Sequence, residues 1–153
     1  MPTPFESAQL NLQLFDLRRE PVLREARAWF IVDFHPETFE ELMAIAGGER
    51  NASFRMVLSY WEMAASLVTS GAIDGEAFLA AHNEIVAAFA KIQPFLAELR
   101  ATIEEPELCR HMESVVMAAA DAQATLDRRR KRLRAAAKTR ASHAGAGASA
   151  ASG

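Results

Sequence analysis

Three side chains of metal-binding type are closely spaced where two predicted helices meet. Asp33, His35 and Glu37 supply two carboxylates and an imidazole at alternate positions, and these groups are common ligands of zinc and other transition metals. Alternate spacing does not bring three side chains together without a particular loop shape, and Pro36 restricts that loop. We therefore predict a solvated helix break here rather than a metal site.

A second set of candidate ligands consists of Cys109, His111 and Glu113. On a helix, Cys109 and His111 lie about 200° apart, so they cannot share one ion. A nucleophilic Cys109 would need a general base and an oxyanion hole, and no spacing in the sequence identifies them. Because this cysteine is the only one, it also excludes an internal disulfide and a multi-cysteine zinc site. We predict that it is a small, partly buried residue.

Glu62, Arg55 and His82 are the candidate buried polar residues. Glu62 lies in the middle of a predicted helix between two apolar stripes, and a carboxylate that is buried there must be paired or hydrogen-bonded. It is predicted to form an internal ion pair or to cap a neighbouring helix end, rather than to act as a catalytic acid. His82 lies in an apolar stripe, which predicts a hydrogen-bonded core histidine.

Positive charge is concentrated near the C-terminal end. Residues 1–127 contain 9 Lys or Arg and 20 Asp or Glu, a charge of −11, whereas residues 128–153 contain 8 cations and no acids. The total charge of −3 is therefore the sum of an acidic body and a basic segment. The eight cations are the candidate anion-binding residues, namely Arg128, Arg129, Arg130, Lys131, Arg132, Arg134, Lys138 and Arg140.

These cations point to all sides of a predicted helix, and the apolar seam of that helix stops at Arg129. The segment is predicted to be solvated, to dock on the acidic body of the same or another copy, or to bind an anionic partner. If about five cations neutralised phosphates, binding to nucleic acid would have a log–log salt slope of about −4 to −5. No aromatic residue is interleaved, so contact would be nonspecific. Anionic lipid is the lesser alternative.

The elements that carry these residues are predicted to be helices throughout. Pro21 begins one helix and Pro36 ends it, since proline fits the first turn and excludes the α conformation from the residue before it. A helix over residues 53–70 is apolar on two sides, which is typical of a central, doubly buried helix. Asp74 is predicted to cap the next helix. The last helix is predicted to begin at residues 105–107 and to continue into the basic segment.

We predict an all-α fold, a single-domain helical bundle of five to seven helices with a long C-terminal helix and a disordered tail. The predicted boundaries are 1–127 for the bundle domain, 128–140 for the basic helix extension and 141–153 for the disordered Ala/Gly/Ser tail. The longest charge-free run of the body is 11 residues, whereas a membrane helix needs roughly 18 to 20. No signal peptide is recognised, so a soluble cytoplasmic protein without a transmembrane segment is expected.

One stretch of the chain carries an ordered set of markers. They are Phe54-x-x-Val57-x-x-Tyr60-Trp61-Glu62, then Gly71 and Asp74, then Ile92-x-Pro94-Phe95-Leu96-x-x-Leu99-Arg100. The stretch resembles a bacterial family of small all-helical domains of unknown function, over about residues 20 to 118. The resemblance implies a helical fold and carries no assigned activity. Some relatives look membrane-anchored by an N-terminal apolar helix that this sequence lacks.

These observations lead to two functional hypotheses. The first is a non-catalytic interaction or scaffold domain, with an unknown protein partner or self-association, because the sequence is rich in core residues and has no catalytic, cofactor-binding or metal constellation. The only other candidate motif, Gly145-x-Gly147, follows no strand and is not a phosphate loop. The alternative is a nucleic-acid-associated accessory protein that uses residues 128–140 for nonspecific phosphate contacts. No enzymatic activity and no cofactor are expected.

Overall fold

The computed structural model describes residues 1–150. Within them, all regular secondary structure is helical, which confirms the all-α prediction. Nine α-helices and one 3-10 turn are present there, so the predicted number of five to seven helices was too low. The helices are α1 Pro4–Leu17, α2 Pro21–Val32, α3 Phe39–Gly47, α4 Asn51–Thr69, α5 Gly75–Ala81, α6 Glu84–Ile92, α7 Leu96–Thr102, α8 Arg110–Val116 and α9 Ala122–Ala150, with the 3-10 turn Gln93–Phe95 between α6 and α7.

The additional helices arise because two predicted helices are each divided. The helix that follows Asp74 is interrupted between α5 and α6, where His82 leaves the α conformation with φ −125° and ψ 42°. The last predicted helix is interrupted at residues 117–121, between α8 and α9. Because α8 packs mainly on α4, whereas α9 packs on α6 and α2, the chain changes direction there despite the helix-favouring alanines.

The helix starts follow local side-chain chemistry. Thr3 and Glu6 form a capping box at α1, and the Glu20 carboxylate accepts from the first backbone N–H groups of α2, with Pro21 in the first position. Thr38 caps α3. Asp74 caps α5, as its position before a predicted helix indicated. Each cap supplies an acceptor to N–H groups that have no partner within the helix.

Helix α4 lies at the centre of the bundle and packs against α2, α3 and α8. Trp61 is fully buried on one side of α4, and Phe54 continues that side into an aromatic cluster with Phe30 and Phe34, whose ring centroids are 4.6 Å apart. The opposite side is only partly covered, since Tyr60 is buried while Met63 is 40% exposed. The central helix therefore has one deeply buried face and one face that reaches the surface.

Helix α9 is continuous from Ala122 to Ala150 and crosses the predicted boundary at residue 128. Residues 141–150 are helical, in contrast to the disordered tail predicted for 141–153, and residues 151–153 lie outside the described part. Alanine has the highest intrinsic helix propensity, and this stretch is rich in alanine. Among residues 1–150, no helix combines the length and the apolar character needed to cross a membrane.

Candidate functional site

The carboxylate of Glu62 caps the start of α8. Its Oε1 atom accepts from the backbone N–H of His111 and its Oε2 atom from that of Met112, both at 3.0 Å. Cys109, at the N-cap of α8, makes no side-chain cap hydrogen bond. The cap is supplied instead by Glu62 of α4, which precedes His111 by 49 positions in the sequence. Of the two structural roles predicted for Glu62, the structure shows the helix cap. Both of its oxygens are committed to backbone donors.

Arg55 lies on the outward-facing side of α4, at the surface. It was predicted to be a buried polar residue, and this is wrong, because Arg55 is exposed. The Phe54 and Trp61 side of α4 turns inward, which directs Arg55 outward. Within the described residues its guanidinium makes no ion pair and no side-chain hydrogen bond, so it is a free cation.

Arg55 stands at the edge of an apolar groove. The groove has a volume of about 920 Å³ and lies between α3, α4, the end of α7 and the segment before α8. The side chains along it are mainly aliphatic or sulfur-containing, whereas Asn51, Ser59, Arg55 and Glu62 provide the polar positions. The principal apolar residues are Met43, Phe54, Met56, Leu58, Leu99, Ile103 and Leu108.

The first predicted set of metal-type side chains does not converge. The ring of His35 contacts the Val32 carbonyl at 3.0 Å, and burial, together with nearby Lys91, lowers the pKa of His35. Glu37 lies near the end of the loop before α3, where its backbone N–H donates to the side chain of Glu41. In residues 1–150 no three His, Cys, Asp or Glu side chains form a group suited to a metal ion.

The second set of candidate ligands does not converge either. Cys109 is buried in the left-handed backbone region, with φ 57°, and burial raises the pKa of its thiol to about 12. Such a thiol stays protonated near neutral pH and is a poor nucleophile. His111 bonds Thr69, and Glu113 pairs with Arg100 at 2.8 Å.

His82 is fully buried beside a charged cluster. The Nδ1 atom of its ring lies 3.4 Å from Arg18, and burial, followed by the charge of Arg18, lowers the pKa of His82. Arg18 also lies over the Trp61 ring, 5.4 Å from its centroid. Glu84 binds Arg18 at 3.2 Å and Arg27 at 2.6 Å. The cluster joins α1, α2, α4 and α6 and has a structural role.

A buried lysine closes the C-terminal end of α2. Lys91 is 3% exposed, and its Nζ donates to the carbonyls of Phe30, Ile31 and Phe34 at 2.7, 2.6 and 2.8 Å. Two of these carbonyls belong to the last turn of α2, where carbonyls lack partners within the helix and the negative end of the helix dipole lies. Burial lowers the pKa of Lys91 to about 7.

Three of the predicted anion-binding arginines are used inside the molecule. Arg134 donates to the Pro36 carbonyl and Arg140 to the Val32 carbonyl, both at 2.9 Å, while Arg130 donates to the Ala90 carbonyl and pairs with Asp127. The basic segment is therefore docked on the body at these positions, one of the alternatives open from the sequence. The carbonyls belong to the ends of α2 and α6 and to the loop that follows α2. In residues 1–150, the acidic partners of the segment are Asp127 and Asp121, at the start of α9 itself.

The other five cations lie on the remaining sides of α9. Arg128, Lys131, Arg132 and Lys138 are exposed and Arg129 is half-buried. Arg128 contacts Thr125 and Asp121. In residues 1–150, Lys131, Arg132 and Lys138 have no ion pair. These three side chains form the outer cations of α9.

Sequence reasoning missed Lys91, Arg18, Arg27 and Glu84. Lys91 had a usable signal, because it is the only charged residue in the apolar run from Ile85 to Ile92. The other three had none, since arginine and glutamate are usually surface residues and nothing in the sequence marks these as different. Their pairing depends on three helices that meet in space.

Comparison with known proteins gives one match. The profile of a family described as Domain of unknown function (DUF4760) matches residues 4–119. No curated protein matches the chain. No solved structure matches it either.

Proposed function

The chain belongs to the DUF4760 family, a domain of unknown function, and we propose that it is a non-catalytic interaction domain. Its groove between α3, α4 and α7 holds an amphipathic helix of a protein partner. The observation that carries this proposal is the free guanidinium of Arg55 at the edge of an apolar groove of about 920 Å³. The partner helix accordingly has an apolar face and an acidic residue beside it.

The lining of the groove supports a helical occupant. A helix that lies in a groove inserts apolar side chains at positions i, i+3 or i+4, and i+7. Met43 and Met56 line the groove, and methionine adapts to the shape of an inserted side chain because it is unbranched. Ile103 is 41% exposed at the edge and would be covered by such a helix.

The two charged residues that border the groove have different roles. Arg55 has no partner within the described residues, so it can pair with a carboxylate of the incoming helix at little cost. Glu62 also borders the groove, but its oxygens are bound to the N–H groups of His111 and Met112. This carboxylate therefore holds the wall of the groove in place.

Selection of peptides tests the proposal. A library of random helical peptides is selected on the full chain, and the affinity of each selected peptide is measured by fluorescence anisotropy. We expect an apolar stripe with an adjacent Asp or Glu. The change Ser59→Trp, at an exposed position on the groove wall, should abolish binding by filling the groove.

Matched arginine variants test the charge. Arg55→Ala should weaken binding about threefold to tenfold, the effect of a charge at the rim of an interface. Arg24→Ala removes an exposed arginine of α2, away from the groove, and should leave the affinity unchanged. Peptides that bind the Ser59→Trp chain and the original chain with equal affinity would show that the groove is not the binding surface.

The outer cations of α9 favour a second function, an accessory protein that binds nucleic-acid phosphates nonspecifically. Lys131, Arg132 and Lys138 are exposed, and within the described residues no carboxylate pairs with them. If all three side chains contacted phosphates, the logarithm of the binding constant would fall with the logarithm of the salt concentration with a slope of about −3. Aromatic residues are absent from the segment, so the binding would not distinguish sequences.

Full-length variants test this alternative without disturbing the docking of α9. Anisotropy of labelled duplex DNA and RNA should show salt-sensitive binding by the original chain and a loss of binding on combined Lys131→Glu, Arg132→Glu and Lys138→Glu. The matched control is a triple change of exposed arginines in the body, Arg19→Glu, Arg24→Glu and Arg110→Glu. Equal loss in both triples, or no binding at low salt, would reject the phosphate surface.

A further inference from the structure

Helix α1 exposes an apolar stripe that no other helix within residues 1–150 covers, and the guanidinium of Arg18, at the end of α1, lies 5.3 Å from the ring centroid of Phe15. Phe5 and Leu12 are each 70% exposed and Phe15 is 51% exposed, and Ala8 lies between them at the surface. At 100° per residue these four side chains fall within about 80° of one another on the helix. We call Phe5, Ala8, Leu12 and Phe15 the outer stripe of α1.

The opposite side of α1 is fixed to the body. Leu14 is 3% exposed, and its carbonyl accepts a hydrogen bond of 2.6 Å from the Tyr60 hydroxyl. The Ser7 hydroxyl accepts from the backbone N–H of Asp74 at 3.2 Å. Because the inner face of α1 is hydrogen-bonded to the body near both of its ends, the outer stripe has a fixed position on the surface.

The outer stripe is self-complementary when it is reversed. Its members are separated by three, four and three positions, so the spacing reads the same in both directions around position 10. In an antiparallel pair, Phe5 of one copy lies opposite Phe15 of the other, and Ala8 lies opposite Leu12. Each large side chain at the centre thus meets a small one, as close packing of two helices requires, and each end joins two aromatic rings.

Charge agrees with the same arrangement. Asp16, an exposed residue of the last turn of α1, would lie opposite Pro4 in the first turn of the second copy. Because Glu6 already caps that end of the helix, the antiparallel pair is favoured by keeping the two Asp16 carboxylates apart and not by the helix dipole. In a parallel pair, Asp16 would instead face a second Asp16.

We propose that the outer stripe of α1 binds a second copy of this chain through an antiparallel contact between the two α1 helices. With these exposed fractions, the stripe offers roughly 400 Å² of apolar surface per copy. The total of roughly 800 Å² is less than the 1,200 to 2,000 Å² of a standard stable interface. The dimer is therefore weak and forms as the protein concentration rises.

Sedimentation equilibrium of the full chain measures this association directly. The mass should rise from 16.8 kDa toward twice that value as the concentration increases to the millimolar range. Leu12→Asp should keep the chain at the monomer mass. The matched control is Gln13→Asp, an exposed position of the same helix outside the stripe, and it should still associate. Circular dichroism checks that both variants are folded.

Cross-linking tests the antiparallel register. A mixture of one chain with Ala8→Cys and another with Leu12→Cys should form a disulfide between the two chains faster than either variant forms one alone. The native Cys109 is buried and should not react. Faster linkage within each variant alone would contradict the antiparallel register.

Three results would overturn the proposal. One is a monomer mass at every concentration, and another is association that survives Leu12→Asp. The third is a chain that remains monomeric but sediments with phosphatidylglycerol vesicles and loses this on Leu12→Asp, which would assign the stripe to a lipid surface. A failure of the groove proposal would leave this test unaffected, since the stripe and the groove share no residue.

Discussion

The carboxylate of Glu62 in α4 accepts a hydrogen bond of 3.0 Å from the backbone N–H of Met112 in the first turn of α8. The neighbouring N–H of His111 donates to the other oxygen at the same distance. A helix of seven residues has few hydrogen bonds of its own, so a cap supplied by another helix contributes a large share of its stability.

We expect Glu62→Gln to lower the free energy of unfolding by about 1 to 3 kcal/mol. The amide nitrogen of glutamine cannot accept, so one of the two N–H groups loses its partner, and the remaining bond loses its charge. Urea unfolding measures the loss, and hydrogen exchange at His111 and Met112 should become faster. Glu98→Gln, at an exposed position of α7, is the control and should change little. Equal stability of both variants would contradict a capping role for Glu62.

Because of Lys91, the free energy of unfolding of the protein should increase as the pH rises. Burial lowers its pKa from 10.5 to about 7 in the folded chain. Between these values the unfolded chain binds more protons than the folded chain, so the free energy of unfolding increases as the pH rises through this window. Below about pH 7 the contribution is constant, because both states carry the proton.

Lys91→Met removes this titration and isolates its effect. The variant also loses the hydrogen bonds of Nζ to three carbonyls, so the comparison uses the change of the stability difference with pH and not its size at one pH. The free energy of unfolding of the original chain minus that of Lys91→Met should grow by a few kcal/mol from about pH 6 to about pH 10. Urea unfolding at several pH values measures it. Lys138→Met, at an exposed lysine, should show no such growth, and a flat difference for Lys91→Met would refute the prediction.

Glu84 holds two arginines that are close together and largely covered. The side chains of Arg18, Arg27 and Glu84 are 14, 13 and 22% exposed. We expect Glu84→Gln to cost about 2 to 3 kcal/mol, because it leaves two partly desolvated cations without a counter-charge. Adding Arg27→Met to Glu84→Gln should recover part of that loss. A double-mutant cycle of these two changes, measured by urea unfolding, would reveal the coupling. Glu76→Gln on the exposed face of α5 is the control, and the absence of coupling would count against this cluster.

Arg134 fixes the middle of α9 to the body through the Pro36 carbonyl. Arg134→Ala retains the helix propensity but removes this contact, so we expect amide exchange in residues 130–148 to become about threefold to tenfold faster, the effect of losing one charge-assisted hydrogen bond. Hydrogen exchange with mass spectrometry measures it. Arg132→Ala, at an exposed position of the same helix, should exchange like the original chain. Equal rates in both variants would show that the contact does not hold α9.

The sequence by itself determined the helical class and several helix ends. Proline at a first helical position, Asp74 as a cap and the apolar periodicity of α4 are local signals, because each acts within one or two turns. The position of Glu62 between two apolar stripes also showed that its carboxylate would need a partner. The same local rules gave too few helices, because the interruptions at His82 and at residues 117–121 follow from where α6, α8 and α9 pack.

Only the tertiary structure decided which partners the charged residues have. Arg134 and Pro36 are 98 positions apart, and Lys91 and Phe34 are 57 apart. In both pairs the acceptor is a backbone carbonyl. Every residue has a carbonyl, so no residue type marks an acceptor in a sequence. A carbonyl becomes a binding site for a cation only where it has no partner within a helix and the fold brings the cation to it. For this reason Arg134 is docked, whereas Arg55 has no partner among residues 1–150.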